Sequence, residues 1–396
     1  MLFRRPASRF ALLAALFLFP SADAGGATRR VPADHSTIQA AIDAAAAADT
    51  VLVAAGTYSG EGNRDLNFNG RDLVLISESG AAATIIDVQG NAEAPHRGMT
   101  FKTAESRAAI VEGFTILNGF MSIAPSRPRR GFADDAHDLS AGGILIQNSS
   151  PTIRDVWVFQ CQSDYSGGGI EIELGAKPLL ERVVIKGCVS SQLGGGLSVE
   201  RQAQPTLIDL VVTGNFAPDG AGVAVSAIPA FDGLLVAGNT AGVRGGGVFV
   251  TGFARATMEN ALVWNNCAPE GGEIYTEATE NSLTFTCSVI DSSDVARSLS
   301  GEVRFGDDCR FVDPIFCGPV GCDVAPTLDG DYRVGSASIC LPGIAPCGTL
   351  IGVLGQGTCS VNPTLRVTWG GVKARYGDPA RRMAQPHRGR QGASAR

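Results

Sequence analysis

Apolar and polar residues alternate in short runs along this chain, and the runs recur. Six of them follow a glycine group: AGGILIQ, GGGIEIE, GGGLSVE, GAGVAVS, GGGVFVT and GGEIYTE. The first apolar residue of each is Ile144, Ile170, Leu197, Val223, Val248 and Ile274, at intervals of 26, 27, 26, 25 and 26 residues. Period-two alternation predicts a strand with one buried face. Repetition at this interval is the mark of a solenoid whose coils stack. A glycine loop that cradles a phosphate is needed once, opens a helix and carries a following Lys-Ser/Thr. Here the glycines recur and a strand pattern follows them, so they read as turns.

A second run closes each coil: IRDVWVFQC, LERVVIKGC, LIDLVVTGN, FDGLLVAGN and MENALVWNN, with Pro151, Pro178 and Pro205 in the turns before the first three. Stacking predicts two inward columns, Val156, Val183, Leu210, Leu234 and Ala261, then Val158, Ile185, Val212, Val236 and Val263. Cys161, Cys188, Asn215, Asn239 and Asn266 form a further column. Asparagine there tolerates left-handed backbone and can bond to its equivalent one coil away. Between the inward columns lie Trp157, Val184, Val211, Leu235 and Leu262, which alternation points outward. An outward apolar stripe calls for a cover or an interface. The C-terminal segment folding back is the first candidate cover, and self-association is the second. A slip of one residue in phase would turn the stripe inward.

The ends read differently. HSTIQAAIDAAAAADTVLVAAGTY predicts an amphipathic helix with Ser36 as N-cap, Gln39 completing a capping box, and Ile38, Ala41, Ile42 and Ala45 on one face. A strand over Thr50 to Val53 follows. Such a helix covers one open end of a solenoid, and the segment from Cys309 to Cys359 is expected to seal the other. The fold expected is all-β, a right-handed parallel β-helix of about nine or ten coils. Residues 25–300 form the capped solenoid, 301–361 a disulfide-rich segment and 362–396 a basic tail without a packing pattern.

Composition agrees. Glycine is 50 of 396 residues and charged residues only 18%, as in a glycine-punctuated β protein. Residues 1–24 read as an export signal: Arg4, Arg5 and Arg9, an apolar stretch from Phe10 to Phe19, and Ala22-Asp23-Ala24 at the cleavage site. No later run is long and apolar enough for a transmembrane helix. Ten cysteines suit an oxidising compartment. Cys309, Cys317, Cys322, Cys340, Cys347 and Cys359 crowd near the end without CxxC pairs or histidine, so they read as disulfides rather than zinc ligands, with the pairing open. Cys161 and Cys188, one coil apart, fit either a disulfide or stacked thiols. Lys and Arg total 32 against 39 Asp and Glu, and eight of the basic residues but one acid lie between Asn362 and Arg396. The body is therefore acidic, which argues against a nucleic acid partner.

The stretches TIQAAIDAA…DTVLVAAGTY and VEGFTILNG and the repeated GGGI…SSPTI resemble right-handed parallel β-helix proteins of the pectin-lyase-like superfamily. Among these the chain is most similar to secreted bacterial proteins with polymorphic outer-membrane-type repeats. The resemblance implies the fold; it admits lyases, hydrolases, adhesins and surface proteins alike. Lyase relatives hold Ca2+ on a carboxylate cluster and use Arg or Lys as base. Here Glu171, Glu173 and Glu200 fall in outward columns of two adjacent coils with Arg201 beside them, and close carboxylates raise each other's pKa or recruit a cation. Hydrolase relatives carry GHG and RIK motifs, and neither occurs in this chain. The insertion SRPRRGFADDAHDLS offers Asp134, Asp135 and Asp138 as a loose Ca2+ set, and Asp307 and Asp308 form another acidic pair. The strand cluster also reads as a solvated acidic face, the insertion as a charged loop, and Asp307 with Asp308 as a turn beside a disulfide. The leading expectation is an exported protein, released or held at the cell envelope or outer-membrane surface, that binds an extracellular polysaccharide or other surface component without catalysis. The alternatives are a Ca2+-dependent pectate-type lyase and a self-associating surface protein.

Overall fold

Each coil begins where its glycine group leaves no room for side chains. A Cβ on Gly168 would run into the backbone carbonyl of Val189, and one on Gly169 would stand 2.6 Å from Ile185 Cγ2. The chain can therefore pass close beneath the next coil and enter a strand. In the coil from Gly169 the strands are Ile170–Glu173, Leu179–Glu181, Val184–Lys186 and Val189–Ser190. The computed structural model, which describes residues 26–122, 139–277, 280–298 and 301–359, is a parallel β-solenoid of about 8 turns with ~27-residue coils. That is fewer than the nine or ten coils expected.

Equivalent strands of successive coils pair in parallel. Among the described residues, nine strands from Leu66–Asn67 to Val295–Arg297 make the sheet that follows the glycine turns. The second and third strands of the coils join a 17-stranded sheet with two limbs, and five short strands make a narrow sheet. Register follows the repeat: Ile170 faces Ile144 and Leu197, and Val184 faces Trp157 and Val211. One residue per coil turns the chain between the limbs in left-handed conformation: Asp155, Arg182, Asp209, Gly233, Asn260 and Cys287. From Thr206 the two limbs run as single strands, Thr206–Thr213, Ala230–Ala237 and Arg255–Trp264.

Both inward columns are fully buried. Each Val or Leu so placed contributes about 1.5–3 kcal/mol. The asparagine column forms the expected ladder: Asn215 Nδ2 donates to Asn239 Oδ1 at 2.9 Å, and Asn239 Nδ2 to Asn266 Oδ1 at 2.9 Å. The left-handed residue, however, is the one before, at Gln160, Gly187, Gly214, Gly238 and Asn265. Turning there lets the asparagine side chains point inward and stack.

At the N-terminal end the helix Ile38–Ala44 buries Ile38, Ala41 and Ile42. Its N-cap is Thr37, not Ser36: Thr37 Oγ1 accepts from Ala40 N at 3.3 Å. Gln39 does not close a capping box. It reaches across to the backbone of Asn67, donating to its carbonyl and accepting from its N–H, both at 3.0 Å. The strand Thr50–Val53 stands where expected and pairs with Thr28–Val31.

The C-terminal segment does not simply seal the far end. Cys309 is buried in the solenoid core and Arg310 still pairs with the last coil. From Phe311 onward the chain lies as a strap along the second limb. Val211, Leu235, Leu262 and Val289 share one buried cluster with Phe316, Tyr332, Val334, Cys340 and Ile351 of the strap. From Val184 to Leu262 the outward stripe is thus covered by the C-terminal segment, whereas Trp157, stacked on Phe159, lies outside that cluster. Cysteine pairing follows from that course. Cys267–Cys322 and Cys287–Cys347 join strap to coils with Cα atoms 5.8 and 6.0 Å apart, and Cys317–Cys359 closes the strap on itself. Of the six crowded cysteines, Cys309 and Cys340 are not bridged but buried thiols, as are Cys161 and Cys188. A strap lying sideways presents Cys322 and Cys347 to Cys267 and Cys287 of the coils and leaves only Cys317 and Cys359 to pair with one another.

Candidate functional site

The glycine-turn sheet places Glu171 and Glu173 on its outer side, one and three residues into the strand after Ile170. Glu200 follows Glu173 one coil on; its N–H donates to Ile172 O at 2.8 Å. The three candidate acids are therefore brought together, with Arg201 Nε 3.6 Å from Glu173 Oε2. The face is not solvated. Glu171 and Glu173 are each 1% exposed, because the loop ahead of the strand folds over them. A Cβ on Gly167 would stand 2.6 Å from Glu171 Oε2. Gln147 Nε2 donates to Glu173 Oε1 at 2.7 Å, and Ser198 Oγ to Glu200 Oε1 at 2.8 Å.

Burial, then repulsion from Glu200 and Glu173, holds the Glu171 carboxyl well above the usual carboxylate range. Glu171 Oε2 has no hydrogen-bond partner. Burial, with Glu200 next, also raises Tyr165. A carboxyl raised in this way beside a second one is the kind of pair that general acid–base chemistry uses, but in this structure both side chains are closed to a polymer. Among the described residues no three His, Cys, Asp or Glu side chains are arranged to hold a metal ion. Asp134, Asp135 and Asp138 lie outside the described residues.

At the end of the narrow-sheet strand Thr240–Arg244, Arg244 pairs with both carboxylate oxygens of Asp219 at 3.0 Å and with Glu277 at 2.5 Å, and lies 4.9 Å over the Phe249 ring of the glycine-turn sheet. This charge is fully engaged and serves the packing of the coils.

The first limb of the long sheet is different. Its outer side carries an open groove of about 430 Å3 that crosses four coils. Thr206, Asp232, Thr257, Glu259, Thr284 and Thr286 line it together with the apolar Leu207, Ile208, Ala230 and Phe231. Asp232 faces Glu259, which faces Thr286, and Thr257 faces Thr284. Hydroxyls and carboxylates thus repeat at the strand spacing of about 4.8 Å. Burial, then the nearby Asp232, raises Asp209 at the limb corner. Sequence reasoning missed this groove, although the same coil alignment puts Thr257 and Thr284 in one column. It missed Tyr165 as well, which sits in a loop with no column to mark it.

Fold and surfaces define a parallel β-solenoid with a strapped limb, a closed acid cluster and an open groove of mixed polar and apolar lining. Comparison with protein-family models, with curated proteins and with solved structures gives no match.

Proposed function

We propose that the protein is an exported β-helix protein of pectin-lyase-like type that binds an extended glycan in the groove of the first limb without cleaving it. The observation that carries this reading is the groove itself: hydroxyl and carboxyl side chains repeated over four coils, in line with the axis along which a polymer extends. Threonine hydroxyls and acids match sugar hydroxyls, and the excess of acid repels uronates, so a neutral polysaccharide is the expected ligand. Three disulfide-distance cysteine pairs suit an oxidising extracellular space. No helix among the described residues is long and apolar enough to cross a membrane. A Ca2+-dependent lyase reading has less support, since Glu171 and Glu173 are sealed.

The test is affinity electrophoresis of the mature protein in gels cast with neutral or uronate polysaccharides, beside an ultraviolet assay for unsaturated sugar ends. Retardation by a neutral polymer that Glu259→Lys abolishes, with a flat absorbance trace, is expected. Indifference to every neutral polymer, or a chelator-sensitive rise in absorbance on uronates, would overturn the reading.

A further inference from the structure

The strap has no fold of its own. Among the described residues its one strand pair, Phe316–Gly318 with Asp331–Val334, is a two-stranded ribbon, and such ribbons are marginal alone. Its buried apolar side chains lie in the cluster they share with Val211, Leu235, Leu262 and Val289 of the coils. The seat is shaped for it. Stacked left-handed glycines line the corner beside the second limb, and a Cβ on Gly214 or Gly238 would collide with Thr327 O or with the Tyr332 hydroxyl. Backbone bonds complete the docking: Thr327 N donates to Gly214 O at 2.9 Å and Gly352 N to Asn260 O at 2.8 Å. The strap leaves the solenoid just after Arg310, through Phe311 and Val312, which are 47% and 48% exposed. Two covalent ties hold it down, Cys267–Cys322 and Cys287–Cys347. Cys340 lies in the same cluster, but burial pushes its thiol up to about 12, so it does not act as a thiolate on the neighbouring bridge.

We propose that the strap is a disulfide-latched arm that two copies of this chain exchange once the latch opens. A released arm keeps its apolar side, and a bared second limb keeps its glycine-lined seat. The partner that fits both is the equivalent arm of a second copy, because the contacts formed are the same ones. Opening needs an external dithiol. Each bridge takes two electrons and two protons and yields two cysteine thiols, while the dithiol becomes its own cyclic disulfide. Reoxidation by a low-molecular-weight disulfide returns the bridges and reduces that disulfide to two thiols. Between exchanged arms the restored Cys267–Cys322 bridge then links different chains.

The experiment mixes equal amounts of 14N- and 15N-labelled mature protein, reduces the mixture with a dithiol at high protein concentration, and reoxidises it. Light scattering, circular dichroism and mass spectrometry of disulfide-linked peptides follow. The expected result is a twofold rise in mass, an unchanged β-sheet spectrum, and Cys267–Cys322 peptides carrying one light and one heavy half. A Cys322→Ser/Cys347→Ser variant, which has no latch, should reach the same doubled mass without reductant. Adding Leu235→Glu to it should restore the monomer. Unmixed Cys267–Cys322 peptides with monomer mass at every concentration would overturn the proposal. Loss of the β-sheet spectrum on reduction would overturn it too, since the arm would then be no separable part.

Discussion

Glu273 stands where earlier coils have the last glycine of their turn, as at Gly247, and its carboxyl enters the core. It ends the asparagine ladder: Asn266 N donates to Oε1 at 3.0 Å and Nδ2 to Oε2 at 2.6 Å. Burial outweighs these bonds, and Asp291 and Asp294 add repulsion, so the carboxyl is raised from 4.5 to about 8. A raised acid holds its proton more tightly folded than unfolded. Its stabilising effect is complete below pH 4.5 and is lost as pH rises toward 8. Between pH 5 and pH 8 the loss is about 3–4 kcal/mol. Glu273→Gln removes the titration and forfeits one ladder bond, about 1 kcal/mol. Denaturant unfolding of both proteins across this window checks the argument. The native chain should lose several kcal/mol relative to the variant as pH rises. Parallel stability profiles, or a native chain that gains on the variant toward pH 8, would refute the reasoning.

Other substitutions test the fold locally. Asn239→Ala interrupts the ladder and strands buried amide groups of Asn215 and Asn266; about 2–4 kcal/mol should be lost in thermal unfolding. Gly168→Ala meets the Val189 carbonyl and should abolish soluble folded protein, whereas Gly175→Ala, with nothing within 4 Å and only its positive φ to strain it, should cost about 1 kcal/mol. Thr37→Ala should destabilise by about 1 kcal/mol and Ser36→Ala by almost nothing, as read from melting temperatures.

The repeat was legible because stacking forces every coil to solve the same packing problem. Val158, Ile185, Val212, Val236 and Val263 are apolar at one spacing for one reason, and the structure buries all five. The stripe from Val184 to Leu262 was legible in the same way, and so was its cover. What escaped depends on contacts between coils and whatever lies over them. Glu171 alternates outward like any solvated acid, and only the loop through Gly167 makes it buried. Cys267 and Cys287 gave no sign of partners some 55 and 60 residues on, because pairing follows the course of the strap. Ser36 and Thr37 are chemically near-equal caps, and the entry angle of the chain decides between them. The groove on the first limb carries the same alternation as the covered limb, so sequence alone cannot rank the faces.

Strap and groove meet at one residue. Asn260 turns the corner between the limbs; its Oδ1 accepts from Thr349 Oγ1 of the strap at 2.9 Å, and its Nδ2 donates to Asp232 Oδ1 in the groove at 2.8 Å. The carbonyl of the same residue accepts from Gly352 N at 2.8 Å. A docked strap therefore fixes the amide that orients a groove carboxylate. Releasing the strap frees Asn260 to turn, and Asp232 loses a positioning bond of about 1 kcal/mol. Glycan affinity should then fall about fivefold. Thr349→Val cuts the link while leaving the latch closed, and it should weaken glycan binding as much as undocking the arm does in the Cys322→Ser/Cys347→Ser/Leu235→Glu variant. Unchanged affinity in Thr349→Val beside weakened affinity in that variant would show that the strap acts on the groove by another route than Asn260.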